Sequence, residues 1–499
     1  MAEISNTFAD SFVGSSRVIP IFDDPDSGDS SNGGEEHITS GRQPEMRDGS
    51  VTGGGEEFNP VDAWLPITES RNGSTLTATF HLLCSGIGIQ VLPLPITFLS
   101  LRWFWGIMCL SIAFSWQLYT TWLLVNLHES TPATGIRYSR FVHLSIVAFG
   151  EKLGKLLAIF PTMYLSGGTC VLYIITGGAV MQMLFNSLCG GGDHGSALTG
   201  AQCFLVFICI AIFVALFFPN LNSLGSVTLI GSITALAYCS LLWILPLTKG
   251  RIDDAVQTKA VLLTGSPSRI RDAFIGFEFL ALAFRGHNLV LEIQGTLPSS
   301  RKKSSCKPMW NGVTISYIII ALCMYPMAIV GYWAYGNKIP ADGGMLGALT
   351  AFHKNSTSKH VIGGICLLII INYVCAFQIY AMPTFDNLER IYTTKKNKPC
   401  SRWVRSSIKL FFGGLTYFIA VTFPFLPRLG AFIGAIGLPL TLVYPCFMWL
   451  AIKKPRRFSR MWCLNMALGS SGTLLTVVFL AAALWSLIDN GLKANFYKP

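Results

Sequence analysis

The feature that most limits what this chain can fold into is a succession of apolar runs. Each is about as long as the ~20-residue helix that crosses the hydrocarbon core of a bilayer. They fall near residues 75–99, 103–127, 154–185, 201–218, 221–247, 273–297, 312–335, 360–383, 406–424, 428–451 and 465–488. In lipid every backbone N–H and C=O must be satisfied within the protein, so runs of this length are expected as eleven transmembrane helices of an all-α polytopic membrane protein. Composition agrees, with 51% of the 499 residues hydrophobic and 13% charged, about half the charged share of a soluble domain.

The net charge of +11 does not point to nucleic acid, because the basic residues sit in short clusters between the apolar runs. With the amino terminus inside, the inner loops receive Arg137, Arg140 and Lys152; Arg301, Lys302, Lys303 and Lys307; Arg390, Lys395, Lys396, Lys398 and Arg402; and Lys453, Lys454, Arg456, Arg457 and Arg460. That is the positive-inside pattern. One outer loop, 248–272, departs from it with Lys249, Arg251, Lys259, Arg269 and Arg271, offset in part by Asp253, Asp254 and Asp272. The sequon Asn355-Ser356-Thr357 falls on an outer loop, making Asn355 a candidate glycosylation site. An odd number of spans then leaves the carboxyl terminus extracellular. Residues 137–154 alternate basic and apolar positions, and read as an interfacial helix or as a polar connector.

Residues 1–57 are rich in Gly, Ser, Asp and Glu, with one apolar patch at 12–22. A segment this polar buries too little to order itself, so a disordered cytoplasmic arm is expected, followed by a membrane domain over 58–499. The arm lacks the basic start and long apolar core of a cleaved signal peptide. Cys189 and Cys203 flank a polar loop and are a candidate disulfide if that loop faces outside. The other cysteines lie mostly within apolar runs, and no CxxC pair or metal-spaced cluster occurs. No nucleophile with a base and orienting partner can be read, so neither an enzyme nor a cofactor is expected.

Two of the spans are interrupted. In the first, Cys84-Ser85-Gly86-Ile87-Gly88 is followed by Pro93 and Pro95; in the sixth, Phe284-Arg285-Gly286-His287-Asn288 stands at the midpoint. Glycine pairs also serve close helix packing, but charges at mid-membrane depth are costly and mark function. Interruptions at matching places in two halves of five helices point to a transporter built from inverted repeats, with its site at the bilayer midplane. The repeats would be about 74–247 and 273–451, with an extra helix at 465–488. Unwinding frees amides that can hold a carboxylate and carbonyls that can hold an ammonium or a cation, and an α-amino acid carries both charges.

The run AFRGHNLVLEIQGTLPS (283–299) resembles the sixth-helix signature of plant amino acid permeases in the amino acid/auxin permease family, lysine/histidine transporter-like branch. NPVDAWLPITESRNG (59–73), PNLNSLGSVTLIG (219–231), FQIYAMPTFDNLE (377–389) and YPCFMWLAIKKP (444–455) agree with it. The resemblance implies a fold like the bacterial leucine transporter, five plus five inverted helices and an eleventh, and proton-driven uptake of amino acids across the plasma membrane. Two positions depart from the family pattern. Many relatives read Ala-Tyr-Ala-Gly-His-Asn where this chain has Ala283-Phe284-Arg285-Gly286-His287-Asn288, and Gln90 has no obvious counterpart.

In the implied fold the backbone of Ser85, Gly86, Ile87 and Gly88 holds the substrate carboxylate, with Ser85 adding a hydroxyl donor. Phe284, Arg285, Gly286 and His287 face it, joined by Tyr164 and Asn372. Arg285 is open between a carboxylate clamp, an ion pair with Glu278 or Glu292, and occupation of a vacated cation site. His287 is a proton carrier or a neutral buried histidine, with Glu292 the competing proton site. Tyr173, Ser232, Thr234, Tyr238 and Tyr373 line the cavity or simply bond neighbouring helices. Asp386 is expected as a cap or loop charge. Beside the symporter stand two other readings, an amino acid sensor signalling through its arm and a carrier of an amino-acid-like hormone or conjugate.

Overall fold

The switch from polar to apolar residues at Ser74 starts the first helix, α1 (Thr75–Gly86), through a reciprocal cap. Ser74 Oγ accepts the Thr77 N–H at 3.2 Å, and Thr77 Oγ1 accepts the Ser74 N–H at 2.7 Å. The helix stops at Gly86, and α2 (Leu94–Leu127) begins after Pro93. Arg102, at φ 67°, bends α2 into the last part of span one and the whole of span two. The computed structural model describes residues 64–129, 137–188, 198–252, 276–277, 280, 283, 286–300, 303–340, 343–490 and 496–497. The arm at 1–57, Cys189, Phe284, Arg285 and the side chain of His287 therefore lie outside the described residues.

The segment expected along the membrane face divides at Gly150, whose φ of 84° ends the short α3 (Phe141–Phe149) before α4 (Glu151–Leu188) begins. A glycine takes that conformation without steric cost, which is why one amphipathic stretch becomes two helices. Next come α5 (Gly200–Phe217), opened by a Thr199–Gln202 capping box, and α6 (Gly225–Lys249). After the sixth-span break α7 (His287–Gly295) leads to α8 (Cys306–Tyr335) and to a short unforeseen helix, α9 (Gly344–Phe352). The eighth span, α10 (Lys359–Lys396), runs past Pro383, where the apolar run ends. Proline is tolerated inside membrane helices because neighbouring groups satisfy the freed carbonyl. The chain continues as α11 (Arg402–Thr422), then α12 (Gly430–Leu438) and α13 (Tyr444–Lys453) joined by a π-turn at 439–443, and finally α14 (Arg460–Asn490).

Among the described residues, nine helices are long and apolar enough to cross a membrane. The interrupted first and sixth spans complete the expected eleven. In its most apolar stretch α10 is 67% buried and α4 61%, against 28% for α2, α11 and α14. So α4 and α10 form the centre, and the others turn one face to lipid. Along the centre α10 packs on α4 and α6, while α1 packs on α6 and α8. The tightest meeting of α1, α6 and α10 is at Gly231, where a Cβ would stand 2.5 Å from Cys84 Sγ and 2.7 Å from Cys375 Cβ.

Candidate functional site

Both interruptions foreseen in the sequence are real breaks. After Gly86 the backbone leaves the helix, with Ile87 extended at φ −110° and ψ 99°. Two of the carbonyls freed there are taken up by side chains. Gln90 Nε2 donates to Gly86 O at 2.6 Å, and Tyr380 Oη donates to Ser85 O at 3.0 Å. Gln90, the residue without a counterpart, thus folds back as an internal cap for the broken helix. Among the described residues the amides of Gly88 and Ile89 make no backbone hydrogen bond. Over Gly88 lies the Tyr173 hydroxyl, 2.4 Å from where a Cβ would stand.

The second break is at Gly286, whose φ of 125° suits only glycine, and α7 starts at the next residue with its first amides unpaired by helix. A narrow cleft joins the two breaks, lined by Leu82, Ser85 and Gly86 of α1, by Gly286 and Val290, and by Tyr317 and Ile320 of α8. Ser85 Oγ would sit 3.9 Å from a Cβ at Gly286. Its own proton is donated to His81 O at 2.8 Å, so toward the cleft the hydroxyl offers lone pairs. Tyr317 is held in the wall by a 2.9 Å bond to Thr121.

The other expected residues divide into two groups. Tyr173 and Tyr373 meet edge to face with centroids 5.2 Å apart, and Tyr380 adds a third ring at 5.9 Å from Tyr173. The Tyr238 and Tyr373 hydroxyls are buried and have no partner among the described residues. Two polar residues bond helices to each other, and a third bonds within its own helix. Asn372 Nδ2 donates to Gly231 O at 2.9 Å, Ser232 Oγ to Phe80 O at 3.1 Å, and Thr234 Oγ1 to the backbone of its own helix at Ile230 and Gly231. Tyr164 is half-buried on α4. Cys203 is a free, buried thiol in the first turn of α5.

Glu292 is buried on α7, and its Oε2 has no hydrogen-bond partner among the described residues. His81, which the sequence reading passed over, is in the same condition: it is 1% exposed and neither ring nitrogen has a partner among the described residues. One signal could have found it, since His81 is the only Asp, Glu, His, Lys or Arg in the first span between Ser74 and Leu101.

Asp386 is not the cap or loop charge expected. It is 1% exposed and paired with Arg140, whose Nε lies 2.6 Å from Oδ2 and Nη2 3.2 Å from Oδ1. Oδ1 also accepts the Ile67 N–H at 3.3 Å, and Arg140 reaches Thr68 Oγ1 at 3.4 Å. Arg405 makes a parallel tie, to Trp64 O at 2.7 Å, Glu69 at 3.0 Å and Glu389 at 3.0 Å. The segment before α1 is therefore strapped across α3, α10 and α11, on the side where the sequence places the inner loops.

The family described as transmembrane amino acid transporter protein matches residues 71–489. The chain belongs to that family. This transporter is 49% identical over 456 residues to Lysine histidine transporter-like 7 of Arabidopsis thaliana, a match spanning 91% of this chain and 94% of the relative. It is 45% identical over 443 residues to Lysine histidine transporter-like 8 of the same organism, spanning 89% and 84%. The crystal structure of MhsT in complex with L-phenylalanine superposes with a TM-score of 0.58 at 11% identity, covering 83% of this chain and 99% of that one. The leucine-transporter-like fold that the family resemblance implies is thus the observed one, and the protein is a multi-pass membrane transporter, not an enzyme.

Proposed function

We propose that this transporter is a proton-coupled symporter that imports amino acids across the plasma membrane by alternating access, with substrate held at the two breaks. The observation that carries the reading is the apposition of Ser85 and Gly286 across one cleft, where two distant stretches of chain are each interrupted. The Gly88 and Ile89 amides, with the Tyr173 hydroxyl beside them, suit a carboxylate. Ser85 is better suited to the ammonium than to the carboxylate, because its proton is already given to His81 O. The apolar walls from Leu82, Val290 and Ile320 suit an uncharged side chain. Arg285, next to the break in sequence, disfavours a cationic one, so neutral and acidic amino acids are expected over basic ones. Gly286, His287, Phe284 and Arg285 complete the site from the sixth span.

His81, His287 and Glu292 are the proposed proton carriers. The two repeats, 74–247 and 273–451, would rock about the cleft with the amino terminus cytoplasmic and the carboxyl terminus extracellular. Asn355 is exposed between α9 and α10, in keeping with glycosylation on the outer side. Currents recorded from oocytes test the coupling: neutral amino acids should induce an inward current that grows as outside pH falls. No such current from protein shown to be at the surface overturns the proposal. A glycosidase-sensitive mass shift, lost in Asn355→Gln, tests the orientation.

A further inference from the structure

One cluster lies away from the substrate cleft and has no part in the proposed transport chemistry. Glu129, just past the end of α2, gathers the start of α8 and the end of α7. Its carboxylate accepts hydrogen bonds from the Ser304 and Ser305 hydroxyls and from the Ser305 N–H at 3.4 Å. Arg137 Nε lies 3.5 Å from it, and Arg137 Nη2 continues to Gln294 O at 3.3 Å and Leu297 O at 2.9 Å. Gln294 Nε2 in turn donates to Val125 O at 3.1 Å. Burial works against the Glu129 charge, but the nearby His128 ring and the hydrogen bonds from Ser304 and Ser305 outweigh it and hold the carboxyl well below the usual range. Glu129 is therefore ionised at cellular pH.

Ser304 is the exposed member of this cluster and directly follows Arg301-Lys302-Lys303 in the sequence. Ser305 is buried, with its oxygen shared between Glu129 and Gln294. We propose that Ser304 is a phosphorylation site for a basophilic protein kinase acting from the cytoplasmic side, and that the phosphate displaces Glu129 from the start of α8. This rests on the inner placement of the 296–306 connection. In the step, Ser304 Oγ attacks the γ-phosphorus of ATP. The new O–P bond forms as the β,γ-bridging bond breaks, ADP leaves, and the hydroxyl proton passes to the kinase's base.

The modification removes the one donor Ser304 gives to Glu129 and sets about two negative charges against an existing carboxylate. The phosphate has somewhere better to go than Glu129 does. Ser304 Oγ already accepts the Cys306 N–H at 3.2 Å, so its phosphate sits at the N-terminus of the 30-residue α8, where anions are favoured. From there it competes for Arg137. The carboxylate loses the Ser304 hydroxyl and its cation together, which loosens the end of α2 from the start of α8 while the Gln294–Val125 bond still ties it to α7.

Purified full-length transporter, incubated with ATP and the catalytic subunit of a basophilic kinase, tests the site by phosphopeptide mass spectrometry. Phosphate should appear on Ser304, vanish in Ser304→Ala, persist in Ser305→Ala, and fall severalfold in Lys302→Ala/Lys303→Ala. Phosphate found only elsewhere, or none, overturns the assignment. The displacement is tested by melting temperature before and after phosphatase treatment. A lower value for the phosphorylated wild type that disappears in Glu129→Gln supports it, and an equal shift in both proteins overturns it. Detergent exposes both faces, so these arms do not depend on topology. The phosphopeptide recovered from intact cells supports the cytoplasmic placement, whereas its absence in cells whose kinase labels the purified protein overturns that placement.

Discussion

Replacing Asp386 by Asn should open the inner side of the transporter. Arg140 and Asp386 are 4% and 1% exposed, and the pair makes two charged hydrogen bonds at 2.6 and 3.2 Å. Removing one partner of a buried pair takes away the other charge's closest counter-charge, a loss of about 3–5 kcal/mol. The same carboxylate receives the Ile67 N–H, so much of that loss falls on the contact between the segment before α1 and α10. At 1.36 kcal/mol per decade, the balance between strapped and released states moves on the order of 10²- to 10³-fold toward release. A cysteine introduced as Ser85→Cys reports this as faster modification by a thiol reagent applied from the cytoplasmic side of inverted vesicles. Arg140→Met should do the same, while the double variant Arg140→Met/Asp386→Leu should lose less than the sum, because neither charge of the pair is left facing an empty place. Labelling of both single variants at the wild-type rate, or fully additive effects in the double variant, would refute the strap.

Three further outcomes follow from the site. Gly88→Ala puts a Cβ 2.4 Å from the Tyr173 hydroxyl, so uptake of labelled amino acid should fall at least tenfold, and adding Tyr173→Phe, which removes that oxygen, should restore part of the space but not the carboxylate contact. Gln90→Leu leaves the Gly86 carbonyl without its 2.6 Å donor, at about 1–3 kcal/mol, and should lower the melting temperature in detergent without altering surface delivery. His81→Gln and Glu292→Gln should each flatten the dependence of current on outside pH while leaving substrate exchange intact, and an unchanged pH profile in both variants would remove them as proton carriers.

The extent to which the sequence disclosed this protein differs from feature to feature. Spans were legible because lipid imposes one length on every crossing helix, and both breaks were legible because glycine and proline mark them directly. Ser232 and Asn372 were harder. Their polar groups could equally face substrate or a neighbouring helix, and the structure ties each to a backbone carbonyl of another helix. Asp386 was misread because a charge near the end of an apolar run looks like a helix end, whereas α10 continues to Lys396 and encloses it. Gly150 split an expected single helix through its φ alone.

By itself, the sequence determined that the chain crosses the bilayer many times, where helices one and six come apart, and to which family it belongs. These follow from local rules, namely apolar length, backbone freedom and motif. Only the tertiary structure decided which charges meet. Arg140 and Asp386 are 246 residues apart, Ser85 O and Tyr380 Oη 295, and Ile67 N and Asp386 319. No periodicity encodes such pairs. They exist because burying α4 and α10 at the centre of the bundle leaves polar groups there with no water to turn to, and these find whatever donor or acceptor the packing brings within reach.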